Sequence, residues 1–197
     1  MAVLPVTAIG FTIKSGWAAA VLVGGSRGAA AVIDCRRVDI SDPKIPDSTQ
    51  PYHAGFSTAR DAGDELERLV SSVKSFGRQS VRALLKDYEQ RGVICGAGVV
   101  VGSLIDPTTI GNDHIRIHAM EGQLFRTVVI DAAESSGVKC EVVRERDLYA
   151  LAAKALKQSD TAMKKTLSDI GKSVDGGWRA EQKAAALVAW MRLPGNS

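Results

Sequence analysis

Three side chains able to do chemistry recur along one stretch of this chain: His114, His118 and Glu121. The apolar spacing around them predicts a helix from Asp113 to about Ser136, capped by Asn112 or Asp113 and stopped at Gly137. A helix turns about 100° per residue, so with Ile117 at zero, Leu124 falls at about −20°, Val128 at about +20° and Phe125 at about +80°. On the same wheel Glu121 falls at about +40°, His114 at about +60° and His118 at about +100°. All three therefore lie inside the apolar arc, in the first two turns, directly after a loop. Imidazoles and carboxylates drawn into an apolar face need partners. His114 and His118 are separated by one helical turn, a spacing at which two imidazoles share a metal of the zinc type, with Glu121 one turn on and Asp106 or Asp113 able to add an oxygen. The same placement suits hydrogen bonding to the neighbouring loop, an anionic ligand at the helix N-terminus or a partner subunit. The glutamate that directly follows the first histidine in metalloprotease helices is missing, since Ile115 stands there.

A second group, Arg144, Glu145, Arg146 and Asp147, follows the run Val138–Val143. That run reads as a strand, and the carboxyl ends of parallel strands gather ligands in open α/β sheets. Asp106, at the end of the preceding strand, is expected beside Glu145 and Arg146, and Arg146 can grip a phosphate or carboxylate with two donors.

The elements that would position these residues can be read from periodicity. Val3–Thr12, Trp17–Val23 and Ala29–Cys35 are apolar runs with short connections, the second being Gly24-Gly25-Ser26-Arg27-Gly28, and short connections make antiparallel neighbours. Ser26-Arg27 and Arg36-Arg37 read as turn and edge-strand charges. Residues 36–56, with Pro43, Pro46 and Pro51, read as a long loop. Ala62, Leu66, Leu69, Val73, Phe76, Ser80, Leu84 and Tyr88 form a helical stripe over 59–91, with Gly77 placed to bend or split it. Lys74, Arg78, Arg82 and Lys86 form a basic ridge on another face, either solvated or in contact with phosphates. Val93–Val101 is apolar throughout, as a strand buried on both faces should be, and its Gly96 and Gly98 suit a closely packed helix. Leu148–Leu156 reads as a short helix, the lysine-rich segment 157–176 as helix and loop, and Trp178–Arg192 as a final helix. The order is α/β: a three-stranded antiparallel meander, then parallel strands returning over helical crossovers, with helices on both faces.

With 197 residues, 45% apolar and 24% charged, the chain is expected to form one domain over 1–197. Its net charge of +3 permits a nucleic-acid partner without demanding one. The three cysteines make no CxxC pair, the start has no basic region ahead of its apolar stretch, and no apolar run reaches the ~18 residues that cross a bilayer. A reduced, cytoplasmic protein without membrane contact is expected. No phosphate-binding glycine loop, nucleophile elbow or dinucleotide fingerprint is present.

The element order resembles the ribonuclease H-like fold, and within it the RuvC and YqgF group of Holliday-junction resolvase relatives. Lys14-Ser15-Gly16-Trp17 is similar to the glycine and tryptophan of that group's first hairpin. Val99-Val100-Val101-Gly102 before a loop and long helix, and Glu145-Arg146 after the next strand, resemble the YqgF pattern, although Arg144 replaces the usual aspartate. Ala184–Ala189 resembles the alanine-aspartate-alanine-leucine segment of the RuvC terminal helix. The resemblance implies carboxylates that hold magnesium for phosphodiester cleavage. They are expected in the first strand near Ile9–Phe11, after the fourth strand near Gly102-Ser103, and at Ala185, yet no acid stands at any of these places. Glu181, one turn from Ala185, is the nearest substitute. The same gap disfavours the sugar-kinase and actin relatives of the fold. The leading expectation is a non-catalytic relative that binds a nucleic acid or a protein through the long helix and the 36–56 loop. The alternatives are a metal-dependent nuclease or phosphodiesterase with a site relocated to Asp106, His114, His118, Glu121, Glu145 and Arg146, holding magnesium or zinc, and a homo-oligomeric scaffold associating through an exposed arc around Phe125.

Overall fold

The computed structural model describes residues 4–55, 58–60 and 62–195. Strands β1 (Val6–Lys14), β2 (Trp17–Ser26) and β3 (Ala29–Asp39) form the antiparallel meander. Helix α1 (Asp64–Glu89) leads to β6 (Val93–Val101), and α2 (Asp113–Glu134) leads to β7 (Cys140–Arg144). Between the meander and α1 lies a small hairpin of β4 (His53–Gly55) and β5 (Thr58–Ala59). Helices α3 (Leu148–Leu156), α4 (Asp160–Gly171) and α5 (Ala180–Arg192) complete the order. The main sheet has the order β3-β2-β1-β6-β7, with β1·β6 and β6·β7 parallel. This is the expected meander-plus-crossover architecture. Among the described residues no helix is long and apolar enough to cross a membrane.

Alternation along β1 sorts the core into two layers. Ile9 and Phe11 face α1 and α2, packing with Val73, Val81, Leu85, Phe125 and Val129. Ala8 faces the other way, into a layer with Val21, Val100, Met163 and the α5 residues Ala185–Met191. The residues of β1 and β6 beneath α5 are small, and the helix sits close. A Cβ added at Gly10 would overlap the Ala185 carbonyl oxygen, and one at Gly98 would overlap Val188. Phe125 is buried, so the arc around it, expected to be exposed, packs instead against the protein's own sheet.

Several boundaries differ from expectation. β3 runs on to Asp39, so the predicted 36–56 loop begins at Ile40, and it is tied down: Ile40 and Ser41 both donate backbone N–H to the Gly16 carbonyl, at 2.8 and 2.9 Å. Helix α1 passes Gly77 unbroken. Its buried stripe runs through Gly77 and Val81 instead of Phe76 and Ser80, because Ile40 and Val128 press on Gly77, where an added Cβ would come within 2.6 and 2.7 Å of them. Lys74, Arg78, Arg82 and Lys86 form an exposed ridge. Trp178 precedes α5 and closes the α4 end, its indole N–H donating to the Leu167 carbonyl at 2.7 Å.

Arg27 is no mere turn charge. Its guanidinium donates to the carbonyls of Leu193 (2.9 Å), Met191 (3.0 Å) and Ala155 (3.2 Å), so it caps the C-termini of α5 and α3 together.

On the β3 edge, Asp34 accepts from Arg36 Nε (2.6 Å), the Tyr88 hydroxyl (2.6 Å) and Arg91 Nη1 (3.1 Å). Burial alone would raise its pKa, but the bonds from Arg36 and Tyr88 and the two guanidinium charges outweigh burial and hold it below the ordinary carboxylate value. A depressed folded pKa gives stability that is complete above the unfolded value of about 3.9 and is lost as pH falls through the folded one. Asp34→Asn is therefore expected to flatten the fall in melting temperature between about pH 4 and pH 2. An acid limb identical to that of the unsubstituted protein, followed by circular dichroism, would refute this role.

Candidate functional site

Helix α2 begins where the Asn112 side chain accepts the Ile115 N–H at 3.1 Å, and this cap aims the first turns at the 46–55 loop. The loop is fixed by its own backbone: His53 N–H donates to the Gln50 carbonyl (3.0 Å), and Arg60 spans back to the carbonyls of Tyr52 (2.7 Å) and Pro51 (2.8 Å). These constraints bring His53 onto α2. Its Nδ1 lies 2.8 Å from Glu121 Oε1, while His118 Nδ1 lies 3.7 Å from Glu121 Oε2. The ring centroids are 4.6 Å apart for His114–His118, 5.1 Å for His53–His118 and 6.4 Å for His53–His114. The ligating atoms of the three imidazoles all lie within 4.8 Å of one another, and among the described residues no other group of three histidine, cysteine or acidic side chains converges so.

Of the three polar residues placed in the apolar arc, only Glu121 is buried, at 2% exposure. His114 and His118 are exposed, because on that side the first two turns of α2 face the loop across an open cleft of about 740 Å³ that also touches Asp47, Gln50 and Arg60. Burial pushes the Glu121 carboxyl up, opposed by His53, His118 and the Tyr52 backbone. Oε2 of Glu121 has no hydrogen-bond partner among the described residues. An ionised Glu121 accepts from Nδ1 of His53, and in the neutral ring that leaves Nε2 as the lone pair. His118 also borders a second, apolar cleft of about 410 Å³, lined by Ile13, Val101, Ile105, Ile110, Ile115 and Phe125.

The other sequence candidates do not join this cluster. Asp106 caps its own short turn, Pro107–Thr109, by accepting the Thr108 N–H at 2.9 Å, a bond that holds its carboxyl below the ordinary value. Arg146 and Arg144 line a separate cleft of about 170 Å³ with Gly102, Ser103, Leu104 and Ile105, and Asp106 does not line it. Arg144 pairs with Asp147 at 2.5 Å. Glu145 is exposed in the turn Glu145–Asp147 and lines neither cleft. The six candidates thus do not share one cleft: the loop after β6 reaches the β7 end through residues 102–105, while the Asp106 side chain is taken up by its own cap. His53 was missed because it sits in an aperiodic, proline-punctuated loop. The signal available was Glu121, a carboxylate in an apolar arc that needs a donor, in a chain with only 3 histidines.

Where the resemblance asks for carboxylates, β1 carries Gly10 pressed against the α5 backbone at Ala185. One turn earlier in α5, Glu181 offers its carbonyl to Thr12 Oγ1 (3.0 Å) and its carboxylate to Lys14 Nζ (3.6 Å).

No protein-family model and no curated protein matches the sequence. Solved structures do match. RuvC of Thermus thermophilus shares 10% identity over 94% of this chain and 92% of its own, with a TM-score of 0.54. The T. thermophilus RuvC structure in complex with a Holliday junction substrate gives 11% identity, 94% and 91% coverage and 0.54. The yeast mitochondrial Holliday junction resolvase Ydc2 gives 12% identity, 98% and 80% coverage and 0.51. In element order, sheet topology and these likenesses, the chain has a ribonuclease H-like fold of the RuvC type.

Proposed function

We propose that this chain acts as a single ribonuclease H-like domain that binds nucleic acid and does not cleave it through a carboxylate–magnesium centre. The observation that carries the reading is the packing of Gly10 beneath Ala185. The α5 backbone occupies the space that a first-strand carboxylate would need, and Glu181, the nearest acid, is engaged by Lys14. Phosphate contacts would come from the carboxyl ends of the parallel strands, where Lys14 ends β1 and Arg144 and Arg146 flank the β6–β7 cleft. Arg146 is 72% exposed, open to a partner. The T. thermophilus RuvC complex with a Holliday junction supports nucleic acid as the partner class.

The test is fluorescence anisotropy with a four-way DNA junction at several salt concentrations, with a cleavage assay in Mg²⁺ and Mn²⁺ beside it. Salt-dependent binding without cleavage is expected, and Arg146→Ala should reduce the slope of log K against log salt by about 1. Cleavage in Mg²⁺ would overturn the non-catalytic reading. No binding at low salt would overturn the nucleic-acid reading.

A further inference from the structure

We propose that His53, His114 and His118 bind one divalent transition metal of the zinc class, with Glu121 as the carboxylate that orients His53. The donor set is three imidazoles from two elements: the loop-borne His53 and the one-turn pair His114/His118 on α2. Nitrogen donors select zinc and its neighbours over magnesium, which requires oxygen. Tetrahedral coordination at about 2.0–2.1 Å from each nitrogen separates the ligating atoms by about 3.3 Å. The three donors already lie within 4.8 Å of each other, and His114 and His118 are exposed side chains free to rotate that remaining distance.

A second, independent feature points to the same ligand. Glu121 is buried to 2% exposure, and Oε2 lacks a hydrogen-bond partner among the described residues. Its two oxygens face the Nδ1 atoms of His53 and His118, at 2.8 and 3.7 Å. A carboxylate bonded to Nδ1 fixes the tautomer, turns Nε2 outward and raises its basicity, the usual arrangement behind metal-ligating histidines. The buried glutamate bonds the His53 ring and holds its second, unpartnered oxygen 3.7 Å from His118 Nδ1, where a small turn of that exposed ring would bring them into contact. The single bond to Glu121 that ties the loop to α2 accounts for His53 alone, and not for the convergence of His114 and His118 on the same point. Three protein ligands leave a fourth position open to the cleft beside Gln50 and Arg60, where water or an anion would complete the shell.

The test is calorimetric titration of Zn²⁺ into chelator-treated protein, with Co²⁺ substitution read by visible absorption. One Zn²⁺ per chain and tetrahedral Co²⁺ bands are expected, with no competition from millimolar Mg²⁺. His53→Ala and His114→Ala should each lower zinc affinity by at least about 100-fold, and Glu121→Gln by about 10- to 100-fold with stoichiometry unchanged. His114 is exposed, so its substitution keeps the test informative if the His53 or Glu121 variant fails to fold. Absence of stoichiometric zinc binding would overturn the proposal. So would zinc binding that survives His114→Ala unchanged. DNA binding enters neither readout.

Discussion

Gly10→Asp is expected to leave the protein unfolded or insoluble, not to restore a nuclease. Gly10 lies on β1, the central strand of the five, on the face covered by α5. Any Cβ there meets the Ala185 carbonyl oxygen and the Val188 methyl. The first obstacle is backbone, so no rotamer change relieves it, and Ala185→Gly offers no remedy. Helix α5 must lift from β1, β2 and β6 together, uncovering Ala8, Val21, Val100 and the buried run Ala185–Met191. Ordinary overpacking costs about 1–3 kcal/mol, and a backbone clash in a central strand belongs at or above the top of that range. Gly10→Ala should thus cost about 3 kcal/mol or more, lowering the melting temperature by roughly 10 °C in a chain of this size. Aspartate adds the burial of a charge, which a protein with about 5–15 kcal/mol of total stability cannot absorb. Thermal and urea denaturation of Gly10→Ala, with solubility of Gly10→Asp, measure this. A Gly10→Asp protein that melts with the parent and cleaves a junction in Mg²⁺ would show that α5 yields and that the nuclease arrangement is within reach.

Arg27→Ala is expected to cost about 2–4 kcal/mol, from three charge-assisted bonds that act as one unit and so do not add in full. The guanidinium fills the junction where α5 and α3 end, and its positive charge faces carbonyls whose partial negative charge it stabilises. The main chain repeats the connection, with Arg27 N–H donating to the Pro194 carbonyl (3.0 Å) and the Trp190 indole donating to the Arg27 carbonyl (2.8 Å). Arg27→Lys should recover less than half of the loss, since a single ammonium cannot span three carbonyls set in a fork. Calorimetric melting of the two variants decides it. A melting temperature for Arg27→Ala within about 1 °C of the parent would mean that water replaces the guanidinium at no cost.

The parts of the fold legible in the sequence were those with a period. Val93–Val101, the meander strands and the stripes of α1 and α2 advertise their elements because one repeated burial pattern accounts for each. Glu121 could be placed by the same wheel, and it is the member of the predicted trio that is buried. What escaped was decided by tertiary neighbours. Arg27 reads as a turn charge because its acceptors lie 128–166 residues away. Gly77 reads as a helix breaker because the side chains that crowd it, Ile40 and Val128, belong to other elements. His53 has no periodic context at all, and Asp106 was drawn toward Glu145 and Arg146 by a general rule about strand ends that its own cap overrides.

The closeness of α5 to the first strands has a consequence for synthesis. The face of β1 and β2 that α5 covers emerges about 175 residues before its cover, a delay of roughly 10–30 s at ordinary elongation rates. Throughout that interval the meander can pair its strands and bury the layer shared with α1 and α2, but of the second layer only the part that α3 and α4 contribute is present. The nascent chain therefore carries a small-residue apolar sheet face open to holdase chaperones and to other nascent copies. Folding of this half of the molecule is necessarily late, and a ribosome that stalls after α4 holds a chain whose second layer lacks the helix that completes it.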